Sequence, residues 1–389
     1  GPGWSKGDDF SDPRKLPTGP GAAKVPFGPL PKEWAKYRGL YLNGENVILA
    51  YSVNTAPVLE LPGLEKAADA SLLTRTFNIL DKGEASKLLV AEAMEGASLA
   101  EHNNVIVLSD DPKSPDSRVA IGLIGAPEGA KWEVQGSRAH LKLPAFTGSE
   151  KFKVVYWKTT QAELAKFDSI LQAAAKPADL KPLTNGGEAR WKEVVETQGT
   201  LSNESAPYVV DNVAVPSENP YKSWIRVGAL DFFKDGRLAL TTWSGDVWVG
   251  EGIDADLDKI KWRRFATGLF QPLGLKIIDD QMYVLGRDQI TRLHDINNDG
   301  EADLYENFNN DMQVTPNFHE FAFDLQTDPE GNFYFSKGGP VNPGGRGWGP
   351  LSSHHGAIFK LSKDGQNLEL FATGVRAPNG IGVSPTGEI

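Results

Sequence analysis

The sequence contains no cysteine. This excludes disulfides, zinc–thiolate sites, iron–sulfur clusters and a covalently attached c-type haem within these residues. It leaves the compartment open, because periplasmic proteins also do without cysteine. No apolar run approaches the roughly 18 residues of a membrane span. No Lys/Arg-rich run occurs either, and the net charge is −11, which argues against nucleic acid and anionic membrane surfaces as partners. There is no G-x-S-x-G elbow, no H-E-x-x-H helix and no P-loop. Histidine is confined to six positions: His102, His140, His294, His319, His354 and His355. The chain opens on "GPGWSKGDDF", with neither Met nor a signal peptide, and closes on "GIGVSPTGEI" inside a strand-like pattern. Both ends are therefore expected to be cut from a longer chain, with room for a targeting signal outside this stretch.

What is present describes a globular, mostly β protein. Apolar residues make up 40% and charged residues 23%, and 389 residues exceed one ordinary core, so two domains are expected. Residues 1–35 are Gly/Pro-rich and irregular. Residues 36–176 predict a β-sandwich-like domain. "RGLYLNGENVILAYSV" reads as a hairpin turning at Asn43-Gly44. "NNVIVLSD", "RVAIGLIG", "KWEVQ", "AHLKLPAF" and "FKVVYW" supply further strands. One helix is signalled by a Thr160/Glu163 capping box, with Leu164, Phe167, Ile170, Leu171 and Ala174 on one face and Pro177 beyond its end. Residues 177–221 read as a linker, and 222–389 as part of a β-propeller.

The propeller reading rests on a repeat. "FATGLFQPLGL" from Phe265 and "FATGVRAPNGI" from Phe371 are 106 residues apart. Strand–turn–strand signals fill the interval, with turns at Asp235-Gly236, Asp279-Asp280 and Glu330-Gly331. Four short antiparallel strands in about 40–50 residues describe one blade. The stretch thus holds about three and a fraction blades, and closing the ring requires further blades from the rest of the chain.

"DINNDGEADLYE" satisfies the EF-hand calcium pattern, with Asp295, Asn297 and Asp299 at alternating positions, Gly300 at the turn and Glu306 at the twelfth. Strand-like flanks replace the two helices, so the loop joins blade strands. Oxygens at this spacing suit a hard cation: the Glu301 carbonyl is a further ligand, and Asp303 or Glu306 would complete the shell. The role expected for calcium is structural. The other reading is an acidic turn held by its own Asx hydrogen bonds.

Imidazole titrates near neutrality and is the usual general base, so the histidines at blade entries are candidates. His319 precedes "FAFDL", and His355 follows His354 just before "GAIFKL". Arg376 stands where the first repeat copy has Phe270, and suits an anionic cofactor or substrate. For each of the three, a plain surface or structural role stays open. "GGPVNPGGRGWGP" leads from strand to strand and so fails the dinucleotide context. Trp348 at its tip, with Trp243 and Trp248, suits stacking on a sugar ring or packing in a core.

"TTWSGDVW", "RRFATGLFQPLGLKI", "YVLGRDQITRLHDINNDGEADLYENFNND", "HEFAFDLQTDPEGNFY" and "LSKDGQNLELFATGVRAPNGIGV" together resemble the secreted propeller–cytochrome c family of planctomycetes and verrucomicrobia. The resemblance covers about residues 222–389. Its propeller is similar to those of quinoprotein glucose and sorbosone dehydrogenases. "PLPKEWAKYRGLYLNGENVILAYSV" looks like the uncharacterised domain that precedes the propeller in this family. The resemblance implies a periplasmic, secreted or cell-surface protein that oxidises a sugar or alcohol. It implies pyrroloquinoline quinone over the channel, with His319 as base and Arg376 and Asn379 as cofactor contacts. It implies electron transfer to a c-type haem domain outside this stretch. Ala377 departs from the pattern, standing where the quinoprotein "RNP" segment has Asn. Two other readings stand beside it: a non-catalytic module that binds polysaccharide or a protein partner, and a polysaccharide lyase or hydrolase using His319 with His355.

Overall fold

The computed structural model describes residues 3–5, 7, 9, 11–16, 25–109, 111, 113–342, 346, 347, 349 and 351–389. Trp348 lies outside them. The chain forms two compact units, residues 1–13 with 30–185, and residues 14–29 with 186–389. Among the described residues it is mostly β, its sheets are antiparallel, and there is one α-helix.

The first unit contains β1 (Trp4–Ser5), β2 (Ala35–Asn43), β3 (Asn46–Val53), β4 (Ala56–Ala67), β5 (Ala70–Ile79) and β6 (Ser86–Glu92). It continues with β7 (Leu99–His102), β8 (Val105–Leu108), β9 (Ser117–Ile124), β10 (Lys131–Gln135), β11 (Arg138–Leu143) and β12 (Glu150–Thr160). In hydrogen-bonded order, β2, β3, β4, β5, β12, β9, β8 and β7 make one sheet, and β1, β6, β11 and β10 make the other. Two-residue turns drive the meander. Asn54 and Thr55, like Asn103 and Asn104, both take positive φ, the geometry whose twist matches the flanking strands. The expected β2–β3 hairpin forms, with Asn43 opposite Asn46 and the turn at Gly44-Glu45.

The two sheets share a core. Val58, Phe77, Phe152 and Val154 of the large sheet pack with Leu88, Trp132 and Leu141 of the small one. Phe77 and Phe152 stack with centroids 4.9 Å apart. Leu72, Val155 and Trp157 belong to a second cluster, covered by Phe167 and Ile170 of α1 (Phe167–Ala173). The expected apolar helix face is therefore the buried one. Its start differs from expectation. Residues 161–166 form a 3₁₀ turn, and Thr160 makes no side-chain cap. The Glu163 carboxylate instead accepts from Lys166 at 2.9 Å and Thr159 at 3.5 Å. The segment read as a linker is divided between the units. The Asn78 side chain holds Ala178 O and Leu180 N at 2.9 and 2.8 Å, and Leu180 is fully buried.

The second unit is built of three successive antiparallel meanders. The first comprises β13 (Val195–Thr197), β14 (Val227–Phe232), β15 (Leu238–Thr242), β16 (Val247–Glu251) and β17 (Ile260–Ala266), in the order β13-β17-β16-β15-β14. The second comprises β18 (Gly274–Ile278), β19 (Gln281–Leu285), β20 (Ile290–His294) and β21 (Leu304–Asn309). The third comprises β22 (Ala322–Thr327), β23 (Phe333–Lys337), β26 (Ala357–Leu361) and β27 (Leu368–Thr373), with the short pair β24 (Val341–Asn342) and β25 (Arg346–Gly347) inserted between β23 and β26. "GIGVSPTGEI" forms no strand.

The 106-residue repeat falls on equivalent places: Phe265 lies in β17 and Phe371 in β27, the last strands of the first and third meanders. The backbone after each is used alike. Phe270 O accepts from Arg287 N, and Arg376 O from Gly339 N, both at 2.9 Å. The first strands of the meanders lie side by side. Gly228 of β14 meets Pro272 O so closely that a Cβ would stand 2.3 Å from it. At the other end of β14, Asp231 Oδ2 accepts from Ile277 N of β18 at 2.8 Å. A Cβ on Gly274 of β18 would lie 2.8 Å from the carbonyl of Asp324 in β22.

Candidate functional site

β14, β18 and β22 line a cleft of about 720 Å³ in the second unit. At the end where the chain enters these strands it is walled by Arg226, Trp243, Leu273, Phe321 and Asn379; further along by Leu230, Asp231, Lys276, Asp324 and Gln326. Arg226 immediately precedes β14 and Trp243 immediately follows β15, and the hairpin closes over them with Trp243 N bonded to Arg226 O at 2.8 Å. Both cleft acids are occupied. Asp231 takes the Ile277 amide and pairs with Lys276 at 3.2 Å. Asp324 sits at a bulge with φ +60°, where its carboxylate accepts from Leu325 N, Ile381 N and the Gln326 side chain at 2.9, 3.1 and 2.8 Å.

His319 is exposed on the loop that leads into β22. Its ring packs on Phe318 at 4.3 Å and stands 6.5 Å from Phe321, which walls the cleft. The loop has a built foundation. Thr315 N donates to Glu320 Oε2 at 3.1 Å and the Thr315 hydroxyl donates to the same oxygen. Asn317 N donates to Thr315 Oγ1 at 3.2 Å, and His319 N to Asn317 Oδ1 at 3.0 Å.

Glu320 itself is fully buried and paired with the fully buried Lys337 of β23. His355 lies beneath as well, with its side chain only 3% exposed. Its Nδ1 accepts from Ser352 N at 2.9 Å, and its Nε2 stands 3.2 Å from Glu320 Oε1 but out of line for a hydrogen bond. Burial alone would raise the Glu320 carboxyl. The His355 ring, Lys337 and Thr315 outweigh it and hold the group below its ordinary value. Burial pushes Lys337 down, against the pull of Glu320. The Glu320 carboxyl is therefore ionised near neutrality.

The sequence candidates thus part company. His319 and Asn379 reach the cleft region. Arg376 is exposed on the following turn, and its carbonyl ties down Gly339. His355 belongs to the buried Glu320 cluster while His319 is exposed, so the two rings do not form an exposed pair that could act on a polymer. Trp248 is fully buried and serves the core; Trp243 lines the cleft.

In the acidic loop, Asp295 accepts from the amides of Asp299 and Gly300 at 3.1 and 2.9 Å. Asn297 Oδ1 accepts from Asp299 N at 3.1 Å, and Asp303 Oδ2 from Ile296 N at 2.8 Å. The Glu301 side chain is engaged by Arg190 Nε at 2.9 Å. Glu306 is turned to Arg292 and His294, each at 2.7 Å. Of the two residues expected to complete a shell, Glu306 is thus paired with a cation outside the loop, while the Asp303 carboxylate accepts from loop amides. Among the described residues, no three His, Cys, Asp or Glu side chains are grouped to hold a metal ion.

Sequence reasoning missed Arg226, Lys276 and the Glu320–Lys337 pair. The spacing Trp224-x-Arg226 beside a strand was the one signal available for the first. The other contacts exist only once separate strands meet.

The quinone implied by the resemblance is a planar tricarboxylate. The cleft offers Arg226 and Lys276 as cations against Asp231 and Asp324, a balance of zero. Lys276 is already spent on Asp231. These residues do not fit three carboxylates.

Residues 1–60 match the model of a domain of unknown function (DUF6797). No curated protein matches the chain. Among solved structures, it is similar to a family AA12 carbohydrate-active enzyme of Trichoderma reesei at 12% identity, covering 45% of this chain and 42% of that one, with a TM-score of 0.26. A protein assigned as a 6-phosphogluconolactonase of Bacteroides fragilis also matches, at 12% identity, 91% and 85% coverage and a TM-score of 0.27. The extracellular domain of a protein assigned as a one-component system of B. thetaiotaomicron does so at 10% identity, 90% and 57% coverage and a TM-score of 0.29.

Proposed function

We propose that the three meanders are consecutive blades of a β-propeller, and that the cleft along their first strands binds a carbohydrate. The observation that carries this is the lining. Trp243 and Phe321 give flat apolar faces, while Arg226 and Asn379 give side-chain donors for hydroxyl groups. A sugar needs that mixture, and a cleft of balanced charge favours a neutral or singly charged ligand over a polyanion.

Titration calorimetry of the chain against a panel of oligosaccharides tests this, with Trp243→Ala as control. Binding that weakens at least about tenfold in the control is expected, since stacking of one aromatic contributes at that scale. Absence of binding across neutral and acidic sugars would end the reading.

A second reading is oxidation of the bound sugar, with His319 taking the hydroxyl proton as general base and the hydride passing to a two-electron redox acceptor supplied from outside these residues. The exposed imidazole next to Phe321 favours it. His319→Ala is then expected to abolish dye-linked sugar oxidation while leaving sugar affinity within about threefold; loss of neither leaves a binding module. The acidic loop, in the same proposal, holds calcium as a brace through Asp295, Asn297, Asp299, Asp303 and the Glu301 carbonyl.

A further inference from the structure

Arg226 differs from the other arginines stacked on aromatic rings in the second unit. Its guanidinium lies between Trp224 at 5.6 Å and Trp243 at 5.4 Å. Arg190, Arg237, Arg264 and Arg292 are stacked as well, but each also holds a carboxylate, at 2.9, 2.8, 2.6 and 2.7 Å. Arg287, over Phe270 and Phe321, is buried. Arg226 is exposed, lines the cleft, and has no carboxylate within 4.0 Å among the described residues.

Contact with two rings restricts its side chain, so less freedom is lost when a ligand engages it. The cleft acids cannot supply that partner, because Asp231 is held by Lys276 and Ile277 N, and Asp324 by the Leu325 and Ile381 amides. A planar cation held beside a ring face is what a sugar bearing one carboxylate would use. The pyranose would lie on Trp243 and the carboxylate would take two N–H groups of the fork.

We infer that the cleft is selective for a uronic acid unit, with Arg226 as the carboxylate receptor and Trp243 as the ring platform. This rests on the carbohydrate reading. The test is calorimetry of the chain with a trisaccharide bearing a single uronic acid unit, its methyl ester, the same trisaccharide bearing a single sulfate in place of the carboxylate, and an unmodified neutral trisaccharide. The free acid is expected to bind at least about tenfold more tightly than its ester, as a charge-assisted pair replaces a neutral contact. Arg226→Gln should erase that preference and Arg226→Lys restore part of it, with both variants melting like the parent because the side chain is exposed.

Equal binding of acid, ester and neutral sugar would overturn the inference and leave the carbohydrate reading intact. Preference for the sulfated sugar over the uronate would overturn the assignment to a carboxylate. Binding of none of the four would overturn both.

Discussion

Replacing Lys337 by Met removes the cation from a carboxylate that has no access to water. The pair is fully buried on both sides, with Glu320 anchored by Thr315 and approached by His355. Stripping one partner from such a pair costs about 3–5 kcal/mol, because the remaining charge is buried and uncompensated. The chain forms two compact units, so a single global transition is a poor measure. Hydrogen exchange read peptide by peptide avoids that problem, and strands of the first unit serve as internal control. At about 1.4 kcal/mol per tenfold, protection of β22, β23 and β26 should fall by roughly two to three and a half decades. Glu320→Gln combined with Lys337→Met should recover much of it.

The pH dependence has a definite sign. The folded Glu320 carboxyl lies below its ordinary 4.5, so its contribution is present above that value and lost as pH falls through the folded value. In the Lys337→Met chain the unpaired carboxyl takes up a proton more readily and sheds the penalty. The difference between the two chains should therefore be widest near neutrality and shrink on acidification. Protection of the third meander within threefold of the parent at pH 7 would refute the reasoning.

Gly274→Ala places a methyl 2.8 Å from the Asp324 carbonyl, and should lower stability by about 1–3 kcal/mol in thermal unfolding of the second unit. Asp279→Asn with Asp280→Gly should raise it by about 0.5–1 kcal/mol, since both residues hold positive φ (+50° and +62°) in a two-residue hairpin turn. The surface contact of Asp279 with Lys234 offers little to set against that gain. Millimolar calcium should raise the melting temperature of the chain, and Glu306→Gln should leave the increment unchanged because that carboxylate faces Arg292 and His294. A calcium effect that vanishes in this variant would put Glu306 back in the shell.

Alternation and turn pairs made much of the fold readable. β2, β3 and β8 to β12 coincide with the strands expected from sequence, and the hairpin turn at Asp279-Asp280 is where it was placed. β4 escaped notice because "APVLELPGLEKA" carries two prolines and a glycine, residues that argue against a strand. Its turn to β5, at Ala68-Asp69, has neither Gly nor Asn to mark it, and Ala68 takes φ +49°. The capping box at Thr160 misled because a 3₁₀ turn starts there and Glu163 has a nearer cation. Near the cleft, His319 was legible as an imidazole just before the strand run "FAFDL", and Asn379 only through the family resemblance. The burial of His355 was not legible, since Glu320 and Lys337 are brought to it from a loop and another strand.

The tight approach of β14, β18 and β22 through Gly228 and Gly274 separates two variables of the cleft. Its width is set by main chain meeting main chain, and its chemistry by Arg226, Trp243, Lys276 and Gln326. Substitution at the second group can change which ligand is preferred while the walls keep their spacing. A side chain at either glycine would do the reverse, altering the gauge of the cleft for every ligand at once. On the carbohydrate reading, ligand preference can therefore drift among related sequences without cost to the packing of the three meanders.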